Sequence, residues 1–340
     1  MARGRGLYLQ IAEPDNLRLA FRNAAMGKAD RREVVAYRRD LAANLVRLRS
    51  TLLGGDVSIG TYRLFTILDP KERTICAAPF GDRVLHHAIM NICEPELERY
   101  AIFDTYACRP GKGLHRAVAR AQEFTRRYPW YLKLDIRKYF DSIHHETLLQ
   151  LLSHRFKDRR VMQLYELIFG TYETLPGRGI PIGNLISQHA ANFYLGGLDH
   201  WLKEVRRVPG YLRYMDDFVL FGFEREYLKE ELRSVEAFLS ERLHLVLKNA
   251  RQLNRSDVGV PFLGFRVLPG RVLLLPRSRA RFANKLERYE QDYHEGIMSE
   301  TELARRVSSL VSFTSVADAA GFRRAVIMRQ GMPSGRAPTA

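Results

Sequence analysis

The sequence predicts an α+β fold, and three observations support this prediction. The tetrapeptide Tyr214-Met215-Asp216-Asp217 stands between two short runs of aromatic and branched apolar residues, which favours a β-hairpin with the carboxylates at its turn. Residues 130–136 alternate in polarity as a buried strand does, and Asp135 lies at its C-terminal end. Most other apolar residues recur at helical spacing. These patterns indicate a chain that contains both strands and helices.

The N-terminal part of the chain is predicted to be helical, followed by one hairpin. Apolar residues keep helical spacing over residues 13–53, and Gly54-Gly55 breaks the pattern. Residues 62–79 have the pattern of a short hairpin, with Asp69-Pro70-Lys71-Glu72 as its turn.

The rest of the chain is predicted to contain mainly helices around the two strand regions. An amphipathic helix covers residues 83–100, with an interruption expected near Pro95 because proline removes a backbone donor. Ser142 is predicted to be the N-cap of a helix that begins near His144. Further helices are predicted over residues 114–127, after Gly111-Lys112-Gly113, over residues 228–243, and from Pro276 onward, where arginine is frequent.

The three aspartates suggest a metal site. Adjacent carboxylates repel each other, and burying either one is costly unless a cation neutralises it. Asp216-Asp217 alone could be an ordinary turn dipeptide. Asp135, however, ends another strand, and carboxylates at the ends of neighbouring strands converge in space. Carboxylate oxygens on rigid strands suit Mg²⁺, and two such ions can activate a 3′-hydroxyl and neutralise a leaving pyrophosphate.

Composition points to a polyanionic partner and away from a membrane. The chain has 54 Lys and Arg against 38 Asp and Glu, a formal net charge of +16, which favours nucleic acid although charge alone does not exclude an ordinary basic protein. No apolar stretch reaches the length of a membrane span, and no signal-peptide core follows Met1. The three cysteines lack paired spacing. We therefore expect a cytoplasmic protein without membrane contact.

Several ordered motifs resemble those of reverse transcriptases. Residues 134–143 resemble the first palm motif, and residues 214–217 resemble the YxDD motif. Residues 179–188, the middle motif, occupy the place of the motif between them. The resemblance extends upstream to residues 71–73 and 105–111 and downstream to residues 261–265, so it covers about residues 60–270.

The resemblance implies a right-hand polymerase with fingers, an antiparallel palm sheet backed by helices, and a helical thumb. The expected divisions are N-terminal helices and fingers with part of the palm over residues 1–125, and the palm over 126–272 with a finger segment near 150–180. A helical thumb over 273–330 and a disordered tail over 331–340 follow.

The resemblance also implies roles for individual residues. Asp135, Asp216, Asp217 and the Ile136 carbonyl are expected to bind two Mg²⁺ ions, with Mn²⁺ as a possible substitute. The residues expected around the incoming nucleotide are Phe140 as a steric gate against a 2′-hydroxyl, Lys71 and Arg73 at the triphosphate, Ile182, Gly183 and Gln188 in the middle motif, and Lys248 or Arg251 near the pyrophosphate.

For several of these residues the sequence leaves an alternative open. Lys71 and Arg73 could be solvated turn charges, and Phe140 could be a core residue. Arg109 is expected on the template path or in a helix-terminal salt bridge. Phe262, Leu263 and Gly264 resemble the primer grip.

The middle motif departs from the usual pattern. Most similar reverse transcriptases carry Pro-Gln-Gly and later Ser-Pro there, whereas this chain has Pro181-Ile182-Gly183 and Ser187-Gln188. That combination resembles the enzymes of diversity-generating retroelements, bacterial and phage systems that copy a template RNA inaccurately at adenines. The alternatives are a retron, group II intron-like or defence-associated reverse transcriptase of ordinary fidelity, or an RNA-binding protein without catalysis.

The resemblance to retroelement enzymes finally implies a set of partners. These are a template RNA, the RNA–cDNA hybrid, deoxynucleoside triphosphates, and a small basic accessory protein that forms an oligomer.

Overall fold

The computed structural model describes residues 6–68 and 72–330. Its helices are α1 (Leu7–Ile11), α2 (Pro14–Ala25), α3 (Arg32–Arg39), α4 (Leu41–Gly54), α5 (Phe80–Tyr100), α6 (Leu114–Arg127), α7 (Tyr139–Ser142), α8 (His145–Ser153), α9 (Arg159–Phe169), α10 (Leu185–Tyr194), α11 (Gly196–His200), α12 (Arg225–Leu243), α13 (Pro276–His294), α14 (Glu300–Thr314) and α15 (Ala320–Gln330). Its strands are β1 (Arg63–Leu68), β2 (Glu72–Ala77), β3 (Trp130–Asp135), β4 (Gly210–Tyr214), β5 (Asp217–Gly222), β6 (Gln252–Arg255), β7 (Val260–Phe262), β8 (Phe265–Val267) and β9 (Val272–Leu274).

The chain divides into two compact units that alternate along the sequence. The first comprises Met1–Arg109, Asp135–Arg207 and Arg233–Asn249, and the second comprises Pro110–Leu134, Val208–Leu232 and Ala250–Ala340. The predicted division into fingers, palm and thumb stays a prediction, and the predicted tail over residues 331–340 lies outside the described residues.

In the first unit, the predicted helical stretch of residues 13–53 consists of three helices, α2 to α4. Gly55 ends α4 with a φ of 84°, in the left-handed region that glycine adopts without strain, so the expected break is confirmed. Helix α5 packs against α1, α2, α3 and α10.

The interruption predicted near Pro95 is wrong, because α5 runs without a break from Phe80 to Tyr100 with Pro95 inside it. Proline costs a helix one backbone hydrogen bond. Burial of residues such as Val84, Ala88 and Ile89 between the surrounding helices stabilises α5 enough to offset that loss.

The hairpin predicted over residues 62–79 is confirmed as β1 and β2, which pair in antiparallel register from Arg63 opposite Ala77 to Leu68 opposite Glu72. Its turn, residues 69–71, lies outside the described part of the chain.

The predicted cap at Ser142 is wrong. Ser142 is the last residue of α7, and its hydroxyl donates to the Arg137 carbonyl at 3.2 Å. The cap of α8 is instead His144, whose side chain accepts from the Thr147 amide.

The second unit contains a four-stranded sheet in the order β4-β5-β3-β6. The last residue of β3, Asp135, belongs to the first unit. Strands β4 and β5 form an antiparallel hairpin, as predicted, and β3 pairs with β6 from Trp130 opposite Arg255 to Lys133 opposite Gln252. Helix α6, which has its predicted bounds, packs on β4 and β8.

The same unit contains a three-stranded antiparallel sheet, in the order β7-β8-β9, and the C-terminal helices α13 to α15. Helices α13 and α14 pack against each other. Across the described residues, no helix is long and apolar enough to cross a membrane.

Candidate active site

The two adjacent carboxylates lie at the tight turn between β4 and β5. Tyr214 pairs with Asp217 across the hairpin, so Met215 and Asp216 form a two-residue loop. Met215 has a φ of 57°, a conformation that residues with a side chain rarely adopt. A backbone held in this way is typical of functional loops, because the surrounding structure must stabilise it.

Arg213 holds this loop from within the sheet. Its side chain is only 1% exposed, and Nη1 donates to the Met215 carbonyl at 2.9 Å. A buried guanidinium is stable only when its donors are satisfied, so Arg213 fixes the loop that carries Asp216. Sequence reasoning missed this residue, although an arginine in an otherwise apolar strand is a signal that could have identified it.

Lys133 neutralises the second carboxylate of the pair. Its Nζ lies 3.2 Å from Oδ2 of Asp217, and both side chains are largely buried. Because side chains two residues apart share one face of a strand, Lys133 and Asp135 lie on the same face of β3. Sequence reasoning also missed Lys133, whose signal was a charge within an apolar run.

Asp135 contacts Lys248, one of the two cations that the sequence left open. The Lys248 ammonium donates to Oδ1 of Asp135, and the Lys248 amide donates to the Asp135 carbonyl at 2.8 Å. Arg251 is exposed just before β6. Ile136 is fully buried and forms a β-bridge with Leu247.

The residue types at these strand ends fit a divalent cation, since Mg²⁺ prefers carboxylate oxygens. Within residues 6–68 and 72–330, no three His, Cys, Asp or Glu side chains are grouped as a ligand set. Asp135 and Asp217 each contact a lysine ammonium. A divalent cation at either carboxylate would therefore lie beside an ammonium group that already contacts one of its oxygens.

Phe140 lies on α7 in the first unit and is half-buried. Its ring meets that of Tyr139 edge-on, with 5.9 Å between the centres, and its carbonyl accepts from the Ile180 amide at 3.0 Å. Burial raises the pKa of the next residue, Asp141, and the charge of Lys138 opposes that rise.

The middle motif is attached to the β1–β2 hairpin within the first unit. The Cys76 amide of β2 donates to the Ile182 carbonyl at 2.8 Å, while the Ile182 side chain is half-buried. Burial raises the pKa of the Cys76 thiol. Gln188 lies one turn into α10, and its Oε1 is 3.7 Å from Sγ of Cys108.

Of the two cations expected at the triphosphate, only Arg73 lies in the part of the chain that the structure describes. Arg73 is exposed on β2, opposite Ile67. Lys71 lies outside the described residues.

Arg109 forms the salt bridge that was one of its two sequence-based interpretations. Its Nε lies 2.8 Å from Oε2 of Glu98, and Nη1 donates to the Thr105 carbonyl at 2.9 Å. With its guanidinium engaged in this network, Arg109 stabilises the loop after α5.

The residues that resemble a primer grip lie where β7 turns into β8, with Phe262 at the end of β7 and Leu263 and Gly264 as the two-residue loop. Phe262 is fully buried, and Leu263 and Gly264 both have positive φ angles, 51° and 93°. The Ser278 hydroxyl donates to the Gly264 carbonyl at 2.7 Å, which ties this loop to α13.

Comparison with solved structures identifies the class of fold. The chain resembles apo telomerase from Candida tropicalis with a TM-score of 0.52 and 11% sequence identity, over 80% of this chain and 60% of the telomerase chain. It also resembles the telomerase of that species in complex with a fragment of telomeric RNA, with a TM-score of 0.50, 12% identity and coverage of 84% and 58%. The fold is that of a right-hand polymerase.

The family follows from the sequence. The model of the family described as "Reverse transcriptase (RNA-dependent DNA polymerase)" matches residues 69–267, which is more than half of the chain. The chain belongs to the reverse transcriptase family, the RNA-directed DNA polymerases.

Its relatives include bacterial and intron-encoded proteins. Protein YkfC of Escherichia coli (strain K12) is 26% identical, over 80% of this chain and 85% of YkfC. The group II intron-encoded protein LtrA of Lactococcus lactis is 27% identical, over 40% of this chain and 24% of LtrA. The chain thus matches less than a quarter of LtrA and about three fifths of the telomerase chain.

Proposed function

We propose that this reverse transcriptase copies a template RNA into cDNA with frequent errors at adenines, as part of a diversity-generating retroelement. The observation that carries the proposal is Ile182, an apolar residue in the place where most reverse transcriptases that resemble this chain carry glutamine. Its carbonyl accepts a hydrogen bond from the Cys76 amide, so the backbone is held while the side chain offers only apolar contact.

The physical reason lies in the loss of one oriented hydrogen bond. A glutamine amide can bond to the incoming nucleotide and favour the correct geometry, whereas isoleucine cannot. Losing such a bond relaxes discrimination by about 1–2 kcal/mol, or roughly tenfold.

In this proposal, Asp135, Asp216, Asp217 and the Ile136 carbonyl hold two Mg²⁺ ions, or Mn²⁺ in their place. When bound, the ions favour the deprotonated 3′-hydroxyl and neutralise the leaving pyrophosphate. Arg213 keeps the carboxylate loop in place, and Lys248, whose ammonium contacts Asp135, would supply the cation near the leaving pyrophosphate.

The remaining residues select and hold the substrates. Phe140 excludes a 2′-hydroxyl, Lys71 and Arg73 bind the triphosphate, and Gly183 and Gln188 complete the nucleotide pocket. Phe262, Leu263 and Gly264 hold the primer end.

The charge of the chain supports a nucleic-acid substrate, since its net +16 favours a template RNA and the RNA–cDNA hybrid. The same proposal includes a small basic oligomeric accessory protein and a cytoplasmic location. Purification of the tagged chain from its host, followed by identification of bound RNA and protein, tests the partners.

The test of fidelity is primer extension on an RNA template with Mg²⁺, followed by sequencing of the cDNA. We expect errors opposite template adenine to exceed those opposite other bases, and Ile182→Gln to reduce them several-fold. Ile182→Val, which keeps an apolar side chain, is the matched control and should keep the wild-type pattern. Unchanged errors in Ile182→Gln would contradict the role of Ile182.

The similarity to LtrA favours a second candidate, a group II intron-like reverse transcriptase of ordinary fidelity. The same assay separates the two, because that enzyme would show no excess of errors opposite adenine. Asp216→Ala should abolish synthesis in either case, and synthesis that survives this substitution would contradict the metal mechanism.

A further inference from the structure

A cavity of about 320 Å³ lies between α13 and α14 in the second unit. It is lined by one row of side chains from each helix, namely Ser278, Arg281, Phe282, Lys285 and Tyr289 from α13 and Arg305, Arg306, Ser309, Leu310 and Phe313 from α14. Both rows follow helical spacing, so the cavity runs along the facing sides of the two helices.

The lining combines positive charge with aromatic rings. Four of the ten side chains are cations and none is a carboxylate. Phe282 is almost fully buried beneath the cavity, and Phe313 is held by packing on Phe265, with 5.1 Å between ring centres. The cavity therefore suits an anion that also carries a flat apolar group.

Two of the arginines are held in place by one carboxylate outside the lining. Glu302 accepts from Nη2 of Arg305 and from Nε of Arg306, both at 2.7 Å. These hydrogen bonds lower the pKa of Glu302 to about 2, so the carboxylate stays charged at neutral pH. One negative charge holds two guanidinium groups, which leaves a net positive charge and further N–H donors at the cavity.

Tyr289 provides the flat surface. The guanidinium carbon of Arg306 lies over the Tyr289 ring, 5.3 Å from its centre, so a phosphate at Arg306 and a base on Tyr289 beside that guanidinium are within the reach of one nucleotide. A cavity of this volume is at the lower end of those that bind small ligands. Paired bases within a duplex are not available for such stacking, whereas unpaired bases are.

We propose that this cavity binds one unpaired nucleotide of a nucleic-acid strand, with its phosphate at Arg305 and Arg306 and its base on Tyr289. This site contains none of the residues assigned to synthesis, so binding there can be measured independently of the proposed fidelity and of catalysis.

The experiment measures binding of a fluorescent single-stranded RNA 12-mer by anisotropy, in the Asp216→Ala background and with EDTA. We expect Arg306→Gln to weaken binding about tenfold. Ser309→Phe, which fills the cavity without a change of charge, should weaken it by a similar factor. The matched control is Arg288→Gln, because Arg288 is on α13 outside the cavity and is 74% exposed.

Circular dichroism of each variant reports whether the fold is retained. The proposal is overturned if Arg306→Gln and Ser309→Phe weaken binding no more than Arg288→Gln does. It is also overturned if both variants weaken binding of a blunt RNA duplex as much as binding of the single strand.

Competition with small molecules tests the nature of the ligand. AMP should displace the strand at millimolar concentration and ribose 5-phosphate should do so less well. Equal competition by the two would contradict the contact with the base. AMP binding as tight as that of the 12-mer would show a site for free nucleotides instead of a strand.

Discussion

Ile75 and Gly183 are in such close contact that a Cβ atom on Gly183 would lie 2.8 Å from Cγ2 of Ile75. Gly183 also has a φ of 108°, which side-chain-bearing residues rarely adopt. Together with the hydrogen bond from Cys76 to Ile182, this contact attaches the middle motif to strand β2. The position of the β1–β2 hairpin and that of the Ile182 backbone are therefore linked.

We expect Gly183→Ala to lower the free energy of unfolding by about 2–4 kcal/mol, because it adds both backbone strain and a steric clash. Ile75→Ala removes Cγ2 and should recover part of this loss in the double variant, whereas Ile75→Val keeps Cγ2 and should not. Thermal unfolding of the three single variants and the two double variants measures the effect.

Gly177→Ala is the matched control for this series. Gly177 has a φ of 68° with no atom within 4 Å of an added Cβ, so only backbone strain of about 1 kcal/mol is expected there. Equal losses of unfolding free energy at positions 177 and 183 would show that the contact with Ile75 does not contribute to the loss at position 183.

Arg213→Met should reduce synthesis at least about tenfold, because the loop that carries Asp216 loses the donor that holds the Met215 carbonyl. We expect the loss in kcat, with little change in KM for the nucleotide, since Arg213 positions carboxylates and does not contact the substrate. Steady-state primer extension measures both constants. Arg225→Met, at a half-exposed position after β5, should leave them unchanged. A pure KM effect of Arg213→Met would contradict a positioning role.

A comparison of Lys248→Met with Arg251→Met tests which of the two cations acts near the pyrophosphate. Because Lys248 contacts Asp135, we expect its substitution to slow nucleotide addition more than substitution of the exposed Arg251. The ion pair is about one third exposed, so its loss should change stability by less than about 1 kcal/mol. Single-turnover incorporation gives the rates, and a larger effect at Arg251 would reverse the assignment.

His86 should make the protein less stable in acid. Burial lowers its pKa from 6.5 to about 4, and neither ring nitrogen has a hydrogen-bond partner in the described part of the chain. The unfolded state binds more protons between these two values, so the contribution of His86 to stability is fully present above pH 6.5 and is lost as the pH falls towards 4. Between pH 7 and 5 the loss is on the order of 2 kcal/mol.

We expect His86→Leu to raise the unfolding temperature at pH 5 more than at pH 7, as measured by scanning calorimetry. His154→Leu, at an exposed position, should leave the pH dependence as it is in the wild type. A pH dependence that is identical in His86→Leu and wild type would contradict this origin.

Local patterns predicted much of the fold. Helix α6 has its predicted bounds because the break at Gly113 and the amphipathic pattern that follows are both local signals. Pro95 misled the prediction for α5, since packing against other helices outweighs the missing hydrogen bond.

In the candidate site, the carboxylate hairpin was predictable because its turn and flanking strands are contiguous. The contacts of Lys133 and Arg213 were not predictable, although a charge within an apolar strand marks each of the two residues. Lys133 meets Asp217 only because β3 lies beside β5, and the order of strands in a sheet is not encoded in any single segment.

The pairing of β3 with β6 has a consequence for the order of folding during synthesis. Residues 130–133 pair with residues 252–255, so the ribosome produces β3 long before its partner. Until then, one edge of β3 has unpaired backbone groups, and such an edge can associate with other chains. The pairing of the strand that ends at Asp135 is therefore completed only after residues 252–255 have been translated, and premature termination before Gln252 should yield an aggregation-prone product.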